Sequence, residues 1–394
     1  MKKRFITILI SVLLILTVVS PLAALDGGGQ LDSNLSFGGR EWFTDDFSGI
    51  FGLTEKLTGW FRTPLPLGTL SIEAGWTLNL SYGFVWPLSL TDAQVFSVRN
   101  TLNVDLLKYN LPLSIGDYTL DINIGRFAVA DCTTMIFNQN MDGVYASMPF
   151  KLFSVSAGVG YTGLQNAKTT GVYGIAVSPS DSSIYSLAPG YVAILARGSA
   201  PSLVAGQSFD AEFDMFINCN TVEESDKLSR GFASISARGS IIPLLYYNAA
   251  FSFGFALGPD SKAGIMGKAG VSYYPDFLDS AITFTTMFAT TGFLPFTDLP
   301  VSNDGRIGCS DLLKIALAYS MKPTDKWVLN TDLALLYASD EEASFGLDVF
   351  QANLSAAFQW FSDVSLSASS GLVIPVSDSS VSYFTGSVRA QISF

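Results

Sequence analysis

The chain of 394 residues contains no histidine, only three cysteines and few charged residues, at 14% of the total. A soluble protein carries about 25% charged residues, so this composition does not favour a soluble globular domain. Without histidine, Ser-His-Asp triads, histidine general bases and histidine metal ligands are excluded. The sequence also has no Walker loop, nucleophile elbow or Cys-x-x-Cys pair. We therefore expect no enzymatic activity, no metal site and no cofactor.

Long apolar runs are also missing after the first twenty residues. A membrane helix needs about 20 consecutive apolar residues, and the only long run covers residues 5–19, after Lys2, Lys3 and Arg4. A basic start, an apolar run and small residues at Ala23 and Ala24 are typical of a secretory signal peptide. An uncleaved anchor helix is the alternative. We predict a signal peptide over residues 1–24 and a single domain over residues 25–394.

Apolar residues instead alternate with small polar ones in many short segments. In residues 245–257, for example, Tyr247, Phe251 and Phe253 share one phase, and Asn248 and Ser252 share the other. The same period of two recurs in residues 70–82, 96–106, 209–217, 327–337 and 350–358. A period of two is that of a β-strand. Because the polar phase consists of Ser, Thr, Asn, Gly and Asp, the pattern favours strands between lipid and water over a β-sandwich.

The links between these segments alternate in length. Short turns are predicted at residues 63–66, 148–151, 198–202, 239–243, 274–279, 322–326 and 360–363, with longer or more polar links between them. Barrels of the bacterial outer membrane have short turns at one end and longer loops at the other. This pattern predicts an all-β fold, a transmembrane antiparallel β-barrel of about 18 strands, with about 16 as the second choice. Residues 47–61 form the poorest strand because Glu55 and Lys56 interrupt the pattern, and a helical turn is the alternative there.

The carboxyl terminus carries the most specific signal. Val388, Ile392 and Phe394 lie on the apolar face of an alternating segment that ends on the last residue. This resembles the C-terminal signature by which diderm bacteria sort β-barrels into the outer membrane. The resemblance implies that these three residues form the assembly signal. It also implies that the barrel assembly machinery and outer-membrane lipid are partners. An even number of strands, counted with short turns on the periplasmic side, predicts that both termini are periplasmic. By its pattern, the mature chain resembles outer-membrane porin-like β-barrels.

Charged residues in the polar phases are the candidates for lining a pore. The acidic candidates outnumber the basic ones, which suggests a weak cation preference. A wall of paired charges without selectivity is the alternative. The candidates are Glu73, Arg99, Asp105, Asp121, Asp210, Glu212, Asp214, Arg238, Lys314, Asp332 and Arg389.

Two further candidates come from a local resemblance. Gly125-Arg126, followed by Asp142-Gly143, resembles the Gly-Arg and Asp-Gly stretch around the third outer loop of several porin families. The resemblance implies that Arg126 and Asp142 line or brace a constriction. Arg126 falls in the lipid-facing phase of its strand, so this role requires a bulge at Gly125 that turns it inward.

These observations predict a porin for passive passage of small hydrophilic solutes. A surface adhesin or structural outer-membrane barrel with a closed lumen is the alternative. A net charge of −12 disfavours nucleic-acid binding. Cys132, Cys219 and Cys309 fall in predicted outer loops, and an odd number in an exported protein leaves at least one thiol unpaired or intermolecular. The sequence names neither the solute nor the oligomeric state.

Overall fold

The computed structural model describes residues 26–40, 48–85, 95–172, 183–204, 206–220, 228–258, 261–297, 301, 308–339, 345–376 and 382–394. The predicted signal peptide lies outside these residues. The described residues form one antiparallel sheet of eighteen strands. In chain order the strands are β1 (Asp26–Arg40), β2 (Ser48–Leu65), β3 (Gly68–Val85), β4 (Val95–Ile115), β5 (Tyr118–Ala130), β6 (Asn138–Pro149), β7 (Ser154–Tyr161), β8 (Tyr191–Val204), β9 (Gln207–Asn218), β10 (Ser229–Ile242), β11 (Leu245–Leu257), β12 (Lys262–Tyr273), β13 (Ala281–Ala289), β14 (Leu312–Thr324), β15 (Trp327–Ser339), β16 (Phe345–Phe361), β17 (Val364–Pro375) and β18 (Tyr383–Ser393).

The sheet closes on itself through its first and last strands. β1 pairs with β2 on one side and with β18 on the other, in a register that runs from Gln30 opposite Ser393 to Arg40 opposite Tyr383. The backbones of Gly29 and Phe394 exchange two further hydrogen bonds of 2.7 and 2.9 Å. The predicted barrel of about 18 strands is thereby confirmed over the count of 16. The segment that looked poorest in the sequence is a regular strand, β2, and not a helical turn.

The outer face of the barrel is apolar, and the alternation explains why. On β11, Phe251 and Phe253 are exposed, whereas Ser252 between them is fully buried inside the barrel. Large exposed apolar side chains recur in the same phase of the other strands. Such an outward apolar band is what lipid covers in membrane barrels. The described residues contain no helix long and apolar enough to span a membrane.

Short links gather at one end of the barrel and long links at the other. Asp26 lies opposite Arg62, close to the short turn between β2 and β3, so the described chain begins and ends at the short-turn end. The turn predicted at residues 198–202 is wrong, because β8 continues to Val204 with a register shift after Ala200. Pro201 lies within that irregular stretch, where a strand does not need a ladder donor.

One side chain changes face because of a bulge. The pairing of β3 with β4 shifts between Glu73 and Ala74, so that Asp105 becomes an extra residue on β4. In the alternation of residues 96–106, Leu106 shares the apolar, lipid-facing phase of Val98 and Leu102, yet it packs against the buried interior cluster. A bulge of one residue reverses the side-chain phase beyond it, which is the reason for the difference.

Candidate functional site in the barrel interior

The inner face of six adjacent strands, β17, β18 and β1 to β4, is polar, and we call it the polar wall. Neighbouring strands are linked there by side-chain hydrogen bonds of 2.7–2.8 Å. The bonded pairs are Thr54 with Asn79, Ser81 with Ser97, and Ser369 with Ser387. All are partly or fully exposed. Inside a closed barrel, exposed polar side chains of this kind can line water.

Charged side chains also lie on the polar wall. Arg389 donates to the nearly buried carboxylate of Asp32, with Nε 2.8 Å from both carboxylate oxygens. Glu73 and Arg99 are half-buried on β3 and β4, in the phase opposite to the exposed Trp76 and Val98. Of the sequence-predicted candidates, Glu73, Arg99, Asp105 and Arg389 thus share this surface.

The long-loop end of the interior is filled by an apolar cluster, which we call the plug. Its centre is aromatic: the rings of Phe216 and Phe296 stack with centroids 4.1 Å apart, and Tyr191 meets Phe296 edge-on at 5.0 Å. Phe137 lies 5.1 Å from Phe216. All four side chains have no exposed surface. Sequence reasoning missed the plug because these residues were read as strand or loop positions without a partner.

Two loops fold inward to build the plug. The loop between β5 and β6 brings in Ile136 and Phe137, and the loop between β13 and β14 brings in Phe293 and Phe296. They bond to each other, since the carbonyl oxygen of Ile136 accepts from the amides of Phe296 and Thr297 at 3.0 and 2.9 Å. The plug is therefore one packed unit made from separate loops.

Asp131 fixes the shape of the loop between β5 and β6. One carboxylate oxygen accepts from the amides of Ile136 and Phe137 at 3.0 and 2.9 Å, and the other accepts from the amide of Thr133 at 2.7 Å. Asp131 is almost fully buried. A short acidic side chain that bonds to amides further along the chain is a common way to hold a turn.

Glu212 ties the same loop to the barrel. Its carboxylate accepts from the amide of Cys132 at 2.5 Å and forms an ion pair with Arg197, at 2.8 Å from Nη2. Arg197 and Glu212 lie opposite each other on β8 and β9. The buried acid thus anchors a loop.

The three acids of β9 all lie on the inner face but differ in exposure. Asp210 is half-buried and accepts from Ser199 at 2.5 Å and from Ser236 at 3.1 Å. Glu212 is 8% exposed and Asp214 is 0% exposed, and neither oxygen of Asp214 accepts a hydrogen bond from the described residues. Glu212 and Asp214 are covered by the plug, so of the three acids only Asp210 stays a candidate for lining a passage.

Arg126 and Asp142 lie in the barrel wall and not on its open inner surface. Gly125 adopts a φ of 109°, which favours glycine, and Arg126 beyond it is 7% exposed. Its guanidinium binds Asp142 through two bonds of 2.8 Å. Asp142 shares its phase on β6 with Val144, which is exposed on the outer face. The bulge expected at Gly125 is absent, because the pairing of β5 with β4 and with β6 runs through Gly125 without a register shift. Arg126 therefore stays in the outward phase, and its pair with Asp142 braces the wall instead of a constriction.

The remaining candidates are scattered over the interior. Asp121, Arg238, Lys314 and Asp332 lie in the inward phases of β5, β10, β14 and β15. The ammonium group of Lys314 donates to the carbonyl oxygen of Val301 at 3.1 Å, and Asn353 donates to Asp332 at 3.5 Å. No common binding constellation unites these four among the described residues.

Comparisons with known proteins agree on the architecture. No protein-family model and no curated protein matches the sequence. Solved structures of Pseudomonas aeruginosa proteins do match: OccK7 (OpdD) with a TM-score of 0.63, over 93% of this chain and 99% of that one, and OccK5 (OpdH) with a TM-score of 0.60, over 94% and 98%. The outer membrane protein opdK matches with a TM-score of 0.57, over 94% and 99%. Each is 10% identical in sequence to this chain. The chain therefore shares the closed-barrel fold of these proteins.

Several residues that organise this barrel were not found from the sequence. Arg197, Arg230 and Asp131 are inner or loop residues with buried polar groups. Arg197 shares its phase on β8 with Leu195 and Tyr191, so that both faces of this strand look apolar in the sequence. The Asp-x-Thr spacing at Asp131 was an available turn signal.

The three cysteines of the chain are free thiols in links between strands. Cys219 is exposed, Cys132 is half-buried and Cys309 is buried. Burial, followed by the negative charge of Glu212, raises the pKa of the Cys132 thiol to about 12. Burial likewise raises the pKa of Cys309 to about 12. Thiols in this state react slowly at neutral pH.

Proposed function

We propose that the protein is a channel of the outer membrane of a diderm bacterium for passive passage of small hydrophilic solutes. The polar wall carries this proposal. A barrel interior that served only as a packed core would present apolar, buried side chains on all strands, whereas the polar wall presents exposed Ser, Thr and Asn beside charges. The porin-like fold and the apolar outer face support the same function. We assign no catalytic role to it.

A bulky side chain on the polar wall would narrow the passage, and this tests the proposed channel function. Ser387 faces inward on β18 opposite Ser369, and Val388 faces outward with 55% of its surface exposed. In planar bilayers we expect discrete conductance steps from the refolded protein. Ser387→Trp should lower the step by roughly half, because its ring projects into the passage. Val388→Trp on the lipid side is the matched control and should leave the step unchanged.

The runner-up is a surface adhesin or structural barrel with a closed lumen. The plug favours this alternative, because its aromatic centre has no exposed surface. If the refolded barrel gives no conductance steps, and removing the plug's aromatic rings creates them, the closed barrel becomes the better account. Equal conductance of the Ser387→Trp and Val388→Trp variants would also contradict passage along the polar wall.

Any cation preference is expected to be weak. It rests on the half-buried acids Glu73, Asp121 and Asp210, since the plug covers Glu212 and Asp214. Asp210→Asn should shift the reversal potential across a salt gradient towards anions, most clearly at low salt where screening is least. Ser208→Asn, one inward position nearer the short turn, is the control. If the reversal potential of Asp210→Asn is unchanged, Asp210 does not contribute to the ion selectivity.

We further infer that the barrel assembly machinery reads the C-terminal strand, as Val388, Ile392 and Phe394 predict. These side chains are 55%, 41% and 72% exposed on the outer face, where a partner in the membrane could contact them. Residues 1–24 would act as the export signal and both termini would lie in the periplasm. A mass of the mature protein that includes residues 1–24 would contradict cleavage.

A further inference from the structure

β4 is only partly paired on the side that faces β5. β3 pairs with β4 along its length up to Val95, whereas β5 pairs with it only from Leu107 to Ile115. No strand of the described residues therefore continues the ladder beside residues 95–106 of β4. An unpaired strand edge exposes backbone polar groups that need other partners.

Side chains take the place of the missing strand. Four carbonyl oxygens in residues 100–105 of β4 accept from side chains, and one amide donates to a backbone: Leu102 to Ile184, at 3.1 Å. We call this contact region the seam. The side-chain donors are Lys168 to Asn100 at 3.4 Å, Asn166 to Leu102 at 2.8 Å, Arg126 to Val104 at 3.2 Å, and Asn140 to Asp105 at 2.9 Å.

The chain between β7 and β8 fills the seam. Its described parts, residues 162–172 and 183–190, pair with each other through Ala167 to Ser186 at 2.7 Å and Ala188 to Gln165 at 2.9 Å. Arg126 links them to the wall by donating to the carbonyl oxygen of Leu164 at 2.8 Å. This filling is a short paired segment that lies in the wall between β4 and β5.

The seam differs from a strand ladder in how its bonds are arranged. Its caps come from separate side chains, Arg126, Asn140, Asn166 and Lys168, and not from the repeating backbone of a neighbouring strand. The inner face of β4 next to the seam carries Arg99, Thr101 and Asn103, which belong to the polar wall. An opening at the seam would therefore lead directly to the polar wall, beside the plug and without moving it.

We propose that the seam between β4 and β5 is an openable side entrance, through which small hydrophilic solutes reach the polar wall while the plug stays in place. Arg126, Asn140, Asn166 and Lys168 hold it closed. The charged caps at Arg126 and Lys168 favour a position near the membrane surface, where charge on the outer face of a barrel costs least. This inference rests on the proposed channel function, so the first measurement of its test does not depend on conduction.

A reversible lock tests the side entrance. Leu102→Cys with Ile184→Cys joins the two backbone partners across the seam, in a Cys219→Ser background that removes the exposed native thiol. The control lock is Ala157→Cys with Ala196→Cys, two residues that face each other in the regular ladder of β7 and β8. Mass spectrometry reports whether each lock forms.

The first readout is hydrogen exchange of the barrel in lipid. In the reduced protein we expect the amides of residues 100–105 to exchange about tenfold faster than those of residues 210–214 of β9. Oxidation of the seam lock should remove this difference, and a reductant should restore it. The control lock should not affect it. Arg126→Gln should speed exchange at the seam further.

Three outcomes would overturn the side entrance. They are failure of the seam lock to form in a folded barrel, exchange at residues 100–105 as slow as on β9, and an oxidised lock that leaves fast exchange unchanged. If the seam lock removes fast exchange, solute flux distinguishes the two proposals. Reduced flux under the seam lock alone supports both, and unchanged flux overturns passage through the seam. Absence of flux in all forms contradicts the channel itself.

Discussion

The polar wall and the plug are built from the same kind of strand, yet they leave opposite traces in the sequence. On the polar wall, inner Ser, Thr and Asn alternate with outer Leu, Phe and Val, so the period of two is plain. Around the plug, the inner residues pack against loops and are as apolar as the outer ones: on β8, Leu195 is buried inside and Ile194 is exposed outside. A clear alternation of apolar and polar residues therefore indicates a strand whose inner face borders water.

The largest loss of inserted barrel should come from changes at Phe394, at the edge of the polar wall where β18 closes the barrel against β1. Phe394 extends the ladder by its backbone bonds to Gly29, and the residue is 72% exposed. Deleting Phe394 removes its backbone bonds to Gly29 together with the last apolar side chain of β18, whereas Phe394→Asp keeps the backbone and puts a charge on the apolar face. Both variants should abolish insertion. Heat-modifiable migration of outer-membrane fractions on gels measures this.

The matched control for closure is Phe361→Asp. Phe361 is also an exposed aromatic residue, at 60%, and lies next to a short turn, but it is on β16, two strands from β18, and so belongs to neither closing strand. Phe361→Asp should reduce the amount of inserted barrel far less than Phe394→Asp does. Normal amounts of heat-modifiable barrel in the Phe394 variants would contradict the assembly signal.

The second largest effect, on stability and conductance, should come from truncating the plug. Phe216→Ala with Phe296→Ala removes a stacked pair without exposed surface. Each truncation of a buried phenylalanine costs about 3–5 kcal/mol in the free energy of unfolding, so we expect an earlier unfolding transition in urea. We also expect a larger or noisier conductance, since the loops lose their shared contact.

The control for the plug comes from the same strand. Phe213 is 45% exposed on the outer face of β9, three residues before Phe216. Phe213→Ala should leave conductance unchanged. A double plug variant with normal stability and unchanged conductance would mean that the plug neither supports the barrel nor restricts it.

Much of the fold could be predicted because it depends on local patterns. The strand count, the closure and the lipid face follow from alternation and from link lengths, as β11 illustrates with its exact bounds Leu245–Leu257. The errors arose where a single residue changes the phase or a strand outlasts its pattern. Asp105 shifts the phase of β4, and the irregular end of β8 around Pro201 was read as a turn.

The interior could be predicted less well, because it depends on contacts between distant segments. Alternation placed Asp210, Glu212 and Asp214 on one inner face, but only the folded loops decide which of them meets water. The pairing of Glu212 with the amide of Cys132 joins residues 80 positions apart. Nothing in the local sequence of β9 indicates that contact.

The third effect should separate an anchoring acid from a wall acid. Glu212→Gln removes the charge that pairs with Arg197 and weakens the bond to the loop at Cys132. Breaking a buried ion pair in this way costs about 3 kcal/mol, towards the lower end because Arg197 retains 24% side-chain exposure. Asp210→Asn, which keeps its serine partners, should cost less. Urea unfolding that ranks the two variants in the opposite order would contradict the anchoring role.

The smallest effect is chemical and leaves the fold intact. Reaction with a maleimide should modify Cys219 and spare Cys132 and Cys309 in the folded barrel at pH 8. Burial raises the pKa of both spared thiols to about 12, so that roughly one in ten thousand is a thiolate at that pH. The reactive fraction rises about tenfold with each pH unit, which predicts slow labelling that accelerates with pH.

Labelling also sharpens the difference between the loop anchor and the centre of the plug. Glu212→Gln should increase labelling of Cys132, because the loop is released and a neighbouring negative charge is removed, both of which lower the pKa of this thiol. Cys309 belongs to the plug cluster and does not contact Glu212, so its labelling should not change. Peptide mass spectrometry after a timed reaction reads each site separately. Equal gains at Cys132 and Cys309 would mean that the anchor and the plug open together, and that the interior beneath the loops behaves as one unit.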